Sequence, residues 1–218
     1  MPAVLVAGGA GALGTAVVSE LVQSGWDVTV VDRHAGGRED VATVEADLLD
    51  GDAARTAVDA VDGLRAVVNL VGGFSMGPKV EDTSLADFER MLRLNLVPAF
   101  NLARAAMPRL AGASGGAFVC VSARAALRPF PGASGYITAK AALLALVQTL
   151  DAEYGAAGVR SNAVLPSVID TPANRDSMPD ADWSKWVPPA EIARVIRFLC
   201  SADSAPTSGA AVPVYGRA

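Results

Sequence analysis

The segment Gly8-Gly9-Ala10-Gly11-Ala12-Leu13-Gly14 constrains this chain more than any other part of it. It follows the apolar run at 3–7 directly and opens a helical pattern over 12–24 that Gly25 ends. Glycine supplies the positive φ of a tight turn and leaves backbone N–H groups open to close approach. A helix starting there aims its unpaired N-terminal donors, and the positive end of its dipole, at an anion. Glycine clusters also serve ordinary turns. Strand, turn and helix in this order, at the start of an alternating chain, favour a cradle for a dinucleotide pyrophosphate.

The remainder alternates in the same way. Strand-like runs fall at 27–31, 41–46, 65–71, 117–121, 159–164 and 211–214, and helical patterns at 52–61, 84–110, 132–154 and 190–200. Ser84, with Asp87 three residues on, approximates a capping box, and Pro98 predicts a kink near Asn95. This alternation predicts an α/β fold: one Rossmann-like domain over 1–218, a doubly wound parallel sheet with helices on both faces. The one long connection, 166–189, is rich in proline, holds Trp183 and Trp186, and reads as a substrate-binding loop or lid.

Composition narrows the function. Hydrophobic residues make up 51% and charged residues 19%, enough for a large core. A net charge of −5 argues against nucleic acid or anionic lipid as a partner. Residues 1–19 carry no charged side chain, but no basic stretch opens them and glycines interrupt them, so a soluble, cytoplasmic protein is expected. Cys120 and Cys200 sit in separate apolar runs and read as reduced, buried thiols. His34 is the sole histidine, so a histidine-rich metal site is excluded and no metal is expected. Its neighbours Arg33, Gly36 and Gly37 suggest a surface loop rather than the base of a catalytic triad.

Asp32 ends the second predicted strand, 18 residues after Gly14. A carboxylate there can accept hydrogen bonds from both adenosine ribose hydroxyls and repels a 2′-phosphate, which favours NAD(H). Arg33 follows immediately and softens that choice, leaving NADP(H) open. Tyr136 and Lys140 form Y-x-x-x-K at the start of a predicted helix, on one face. A phenol titrates near 10 and is a poor acid or base at neutral pH. A neighbouring ammonium is expected to lower that value, letting Tyr136 exchange a proton with a carbonyl or alcohol oxygen. Lys140 can also bond the nicotinamide ribose.

Together these residues resemble the short-chain dehydrogenase/reductase family over nearly the whole chain. The opening T-G-x-x-x-G-x-G of that family reads here from Ala7 to Gly14, with Ala7 for Thr and Ala12 for the middle Gly. Its N-N-A-G reads Asn69-Leu70-Val71-Gly72, and its N-x-V-x-P-G reads Asn162 to Ser167, with Ser167 for Gly. The resemblance implies that Asp47 contacts adenine, Asn95 supports a water-linked proton relay through the lysine, and Thr171 contacts the nicotinamide amide. It extends the cofactor contacts to Gly8, Gly11, Ala12, Leu13, Gly14, Arg33, Leu48, Asn69, Val71, Gly72, Pro166 and Val168. It further implies seven strands, homodimers or homotetramers, and a small carbonyl or alcohol substrate.

The family's substrate-orienting serine stands thirteen residues before the tyrosine, a position held here by Ala123; Ser122 lies fourteen before it. Ser122 is taken as the candidate, on the expectation that a loop insertion returns it to the site; the alternative is a strand-end serine bonding backbone. The dihydropteridine reductase branch lacks that serine. The stretches 170–175, 177–183 and 11–14 are similar to that branch, which keeps an imine reductase in view. Loss of the family residues at Ala12, Leu70 and Ala123 keeps a third reading, a catalytically degenerate dinucleotide sensor. Phe74, Met76, Met178, Trp183 and Trp186 are expected either to line an apolar substrate pocket or to pack the lid or a subunit interface. Arg175 reads as a substrate anchor or a solvated loop charge.

Overall fold

A computed structural model describes residues 1–34 and 38–217. The expectation of a surface loop at Gly36 and Gly37 lies outside the described residues, while His34 is exposed. Seven strands, β1 (Ala3–Ala7), β2 (Asp27–Asp32), β3 (Ala42–Glu45), β4 (Leu64–Asn69), β5 (Gly116–Val121), β6 (Val159–Pro166) and β7 (Ala211–Val214), form one sheet. Its order is β3-β2-β1-β4-β5-β6-β7 and every pairing is parallel. Among the described residues there are six α-helices, α1 (Ala12–Gln23), α2 (Gly51–Asp59), α3 (Leu85–Gly112), α4 (Ser134–Tyr154), α5 (Pro172–Ser177) and α6 (Pro189–Cys200), and all but the short, exposed α5 pack on the sheet.

Parallel strands covered on both faces need apolar side chains on both, and β1 is buried at all five positions. Strand alternation sends Leu5, Val67, Phe118 and Cys120 to the face under α2, α3 and α4, where Leu102, Met107, Leu143 and Val147 meet them. Val4, Val6, Val68 and Val119 point the other way, against Val17 and Leu21 of α1 and Ile192, Ile196 and Leu199 of α6. Each such fully buried aliphatic contributes about 1.5–3 kcal/mol.

The helix starts follow their caps. Asp50 accepts from the N–H groups of Asp52 and Ala53 at the head of α2. Ser84 Oγ accepts from Asp87 N–H at 3.1 Å and donates to the Asp87 carboxylate at 2.7 Å, so the serine half of the expected capping box forms while the carboxylate bonds the hydroxyl in place of the Ser84 N–H. Helix α3 is continuous through Pro98 and Pro108, with no break at Asn95. The Asn95 side chain donates to the Met91 carbonyl and joins the helix to a neighbouring loop. The stretch 166–189 is more ordered than its sequence predicts. Asp170 N–H donates to Val187 O and Val187 N–H to Val168 O, while α5 and a 3-10 turn at Trp183–Lys185 fill it. Among the described residues no helix is long and apolar enough to cross a membrane.

Candidate active site

The sheet order reverses between β1 and β4, which places a crevice at the carboxyl ends of those strands. Gly8 enters it with φ 79° and donates its N–H to Val31 O at 2.9 Å. A Cβ on Gly8 would stand 3.2 Å from Val71 N, and one on Gly14 would stand 2.3 Å from Gly8 O. Helix and turn are therefore packed backbone to backbone, which only glycine permits. Gly11 caps α1 without any side chain, and Thr15 N–H is the first to reach back into the helix, to Gly11 O. The N–H groups of Ala12, Leu13 and Gly14 are thus the free donors of the helix end. These features fit a pyrophosphate.

Asp32 stands at the tip of β2, half-buried, and accepts from Ala10 N–H at 3.2 Å and Arg33 N–H at 2.8 Å. The first of these bonds ties the carboxylate to the glycine turn, a link the spacing alone does not reveal. Asp47 accepts from Leu49 N–H at 3.0 Å, and Leu48 beside it is buried with its carbonyl held by Asn101 Nδ2 at 2.9 Å. Asn69 Oδ1 accepts from Val71 N–H at 3.2 Å and turns the chain out of β4, two residues earlier than the β-branched run suggests.

Asn95, fully buried, clasps Gly73 from both sides: Gly73 N–H donates to Oδ1 at 3.1 Å, and Nδ2 donates to Gly73 O at 3.0 Å. A Cβ on Gly72 would lie 2.6 Å from Asn95 Oδ1 and 3.0 Å from Lys140 Nζ. Gly72 is therefore the gap through which α3 and α4 bring these two side chains together. Lys140 is buried, donates to Val121 O at 3.0 Å, and its Nζ lies 5.8 Å from the Tyr136 ring centre. Phe74 packs edge-on against Tyr136 at 5.0 Å between ring centres.

The electrostatics depart from one sequence expectation. Burial pushes the Tyr136 phenol up to about 12, with no counteracting pull from Lys140. Burial likewise pushes Lys140 down to about 8. Both groups are desolvated, and each shifts toward its neutral form. The phenol is therefore protonated in this state, not a phenolate.

Ser122 Oγ donates to Lys140 O at 2.7 Å and the residue is 3% exposed. The reason is register: Phe118 and Cys120 face α4, and Ser122 continues that row, while Ala123 falls on the opposite side. This bond matches the alternative left open for Ser122, a strand-end serine bonding backbone.

On the far wall, Thr171 Oγ1 accepts from Asn174 N–H at 3.2 Å as the cap of α5, which leaves its hydroxyl proton to donate. Pro166 and Val168 bracket Ser167, whose hydroxyl donates to Tyr215 O at 2.8 Å. Arg175 is held by Asp170 in a two-point ion pair at 2.6 and 2.8 Å and stacks on Trp183 at 4.7 Å. Trp186 is buried, whereas Phe74, Met76 and Met178 are exposed. Met76 and Tyr136 share a cavity of about 170 Å³ with the starts of α3 and α4. The sequence reading passed over Gly73 and the Val121 carbonyl, because their contributions are backbone atoms with no side-chain signature. Among the described residues no cluster of His, Cys, Asp and Glu suited to a metal occurs.

The family model for short chain dehydrogenase matches residues 2–182. This chain belongs to that family. It is 31% identical over 216 residues to a dihydropteridine reductase of Dictyostelium discoideum, covering 96% of this chain and 92% of that protein. It is 29% identical over 224 residues to the 3-oxoacyl-[acyl-carrier-protein] reductase MabA of Mycobacterium tuberculosis, covering 98% and 91%. A short-chain type dehydrogenase/reductase from Mycobacterium ulcerans superposes with a TM-score of 0.91 at 25% identity, covering 99% and 89%. As a short-chain dehydrogenase/reductase, the protein is an NAD(P)-dependent oxidoreductase.

Proposed function

We propose that this enzyme transfers hydride between NAD(H) and a small carbonyl or alcohol substrate, with Tyr136 as the proton donor or acceptor. The observation that carries this reading is the meeting of Asn95 and Lys140 at Gly72, with the Tyr136 ring centre 5.8 Å from Lys140 Nζ. A dinucleotide-binding sensor has no use for a half-buried phenol packed beside a buried ammonium.

Gly8, Gly11, Ala12, Leu13 and Gly14 hold the pyrophosphate, and Asp32 holds the adenosine ribose. Asp47 and Leu48 flank the adenine, and Asn69, Val71 and Gly72 form the floor. Lys140 bonds the nicotinamide ribose, and Pro166, Val168 and Thr171 meet the carboxamide. The Asp32 carboxylate beside the cradle supports NAD(H) over NADP(H), since it repels a 2′-phosphate. When bound, the nicotinamide supplies or accepts the hydride.

In the reducing direction the neutral Tyr136 phenol donates its proton to the carbonyl oxygen as negative charge grows there. The Lys140 ammonium stabilises the tyrosinate left behind, and Asn95 holds the Gly73 backbone so that the passage beside Lys140 stays open. Ser122 fixes the Lys140 turn of α4 from beneath. Free, buried Cys120 and Cys200 suit a reducing, cytoplasmic setting. Exposed Leu85 and Phe100 along α3 support a homodimer or homotetramer.

A second reading has its own support. Ala123 at the orienting position, together with the dihydropteridine reductase relative, favours an imine reductase that works without a serine hydroxyl. The test is NADH and NADPH consumption with a panel of ketones, aldehydes and quinonoid dihydropterin. Turnover of carbonyls supports the first reading and turnover of dihydropterin alone the second. Tight dinucleotide binding with no turnover on the panel contradicts both.

A further inference from the structure

Arg124 opens the short 3-10 turn after β5, directly following Ala123. Its guanidinium lies 5.1 Å from the ring centre of Tyr215, the residue after β7. In the sheet β6 separates β5 from β7. The Arg124 side chain therefore crosses over the carboxyl end of β6, along the rim where ligands of such sheets bind. The far end of this crossing is anchored, because Ser167 holds the Tyr215 backbone at 2.8 Å.

Among the described residues no carboxylate lies within 4.0 Å of Arg124, and none of its five side-chain N–H donors has a protein acceptor. It is nevertheless half-buried. Arg175, in the stretch 166–189, is by contrast neutralised by Asp170 at 2.6 Å and stacked on Trp183. The face of Arg124 rests on an aromatic ring while its donor edge stays open, a preorganised fork for a carboxylate. Phe74 contacts both Phe130 and Tyr136, with ring centres 6.4 and 5.0 Å apart, and makes the phenol's surroundings aromatic.

Building on the oxidoreductase reading, we infer that the substrate is an aromatic carbonyl compound bearing an acidic group, with Arg124 as the residue that selects the acid. The ring of the substrate lies against Phe74 and Phe130, and its anion meets the guanidinium. A charge-assisted two-point contact of this kind changes specificity about ten- to a hundred-fold.

The test compares 4-formylbenzoate with 4-methylbenzaldehyde, using the full-length enzyme with NADH and with NADPH. The expected result is a kcat/KM at least about tenfold higher for the carboxylate, lost in Arg124→Met through KM. The neutral aldehyde should be unaffected, and Arg124→Lys should restore part of the preference. Equal kcat/KM for the two aldehydes, or a preference that survives Arg124→Met, overturns the inference while leaving the oxidoreductase reading intact. Calorimetric binding of 4-(hydroxymethyl)benzoate to wild type and Arg124→Met separates the two ideas when neither aldehyde is turned over. Binding lost with the arginine supports the anion site and counts against the reaction alone; binding unchanged or absent overturns the site. Unchanged dinucleotide affinity in Arg124→Met shows that the variant is folded.

Discussion

At the scale of single residues, the site is built from desolvated groups whose folding cost is measurable. Lys140 titrates near 8 in the fold against an ordinary 10.5, so between those values the unfolded chain binds more protons. Stability therefore rises with pH across that window and is lost as pH falls through 8. Lys140→Met should stabilise the protein at pH 7 by on the order of 1–3 kcal/mol in urea melts, the gain shrinking toward pH 10.5, while abolishing turnover. A less stable variant at pH 7 would show that the hydrogen bond to Val121 O outweighs desolvation. Tyr136 runs the other way. Its phenol is raised from 10 to about 12, so it contributes stability that is present below 10 and disappears as pH climbs through 12. Tyr136 and Lys140 stand out as candidates by their i, i+4 spacing, and Asn95 by the resemblance to the family. Their electrostatic state was not legible, because burial is set by Phe74, Cys120 and the helix packing around them, none of which lies nearby in sequence.

At the scale of elements, the chemistry depends on how closely α3 and α4 approach the loop after β4. Gly72 sets that distance: Gly72→Ala places a methyl 2.6 Å from Asn95 Oδ1. The expected outcome is a drop in kcat of about a hundredfold or more with near-native dinucleotide affinity, read by steady-state kinetics and fluorescence titration. Activity within about twofold of wild type would mean the loop yields without consequence. Strand positions were readable because alternating or continuous apolar runs leave a strong signature, and β1 and β7 fall where the pattern places them. The ends of β4 and β6 were less so. The Asn69 side chain turns one out early, and pairing with β7 carries the other on to Pro166. The fate of Ser122 shows the limit of counting from Tyr136. Position in the β5 ladder, not distance in sequence, decides which face a side chain takes. In the stretch 166–189, the Asp170–Arg175 pair and the bonds of Val187 to Val168 and Asp170 are specific contacts that proline and tryptophan content cannot predict.

At the scale of the whole molecule, the fold brings two distant parts of the chain to one crevice: the glycine turn with Asp32 from the first half, and Tyr136 with Lys140 from the second. The parallel order β3-β2-β1-β4-β5-β6-β7 does this by placing β1 and β4 side by side. On the proposed function, the first half selects the cofactor. Asp32→Ser removes the carboxylate and leaves Arg33 beside the ribose, so the NADPH-to-NADH ratio of kcat/KM should rise by about tenfold or more. An unchanged ratio would remove Asp32 from that choice. The second half carries the proposed chemical step, and Tyr136→Phe tests it most directly. The measurement pairs turnover on the preferred carbonyl with NADH affinity by fluorescence. Turnover should fall by about a thousandfold while the dissociation constant stays within about twofold. A variant that keeps wild-type turnover would contradict the assignment of the proton to Tyr136.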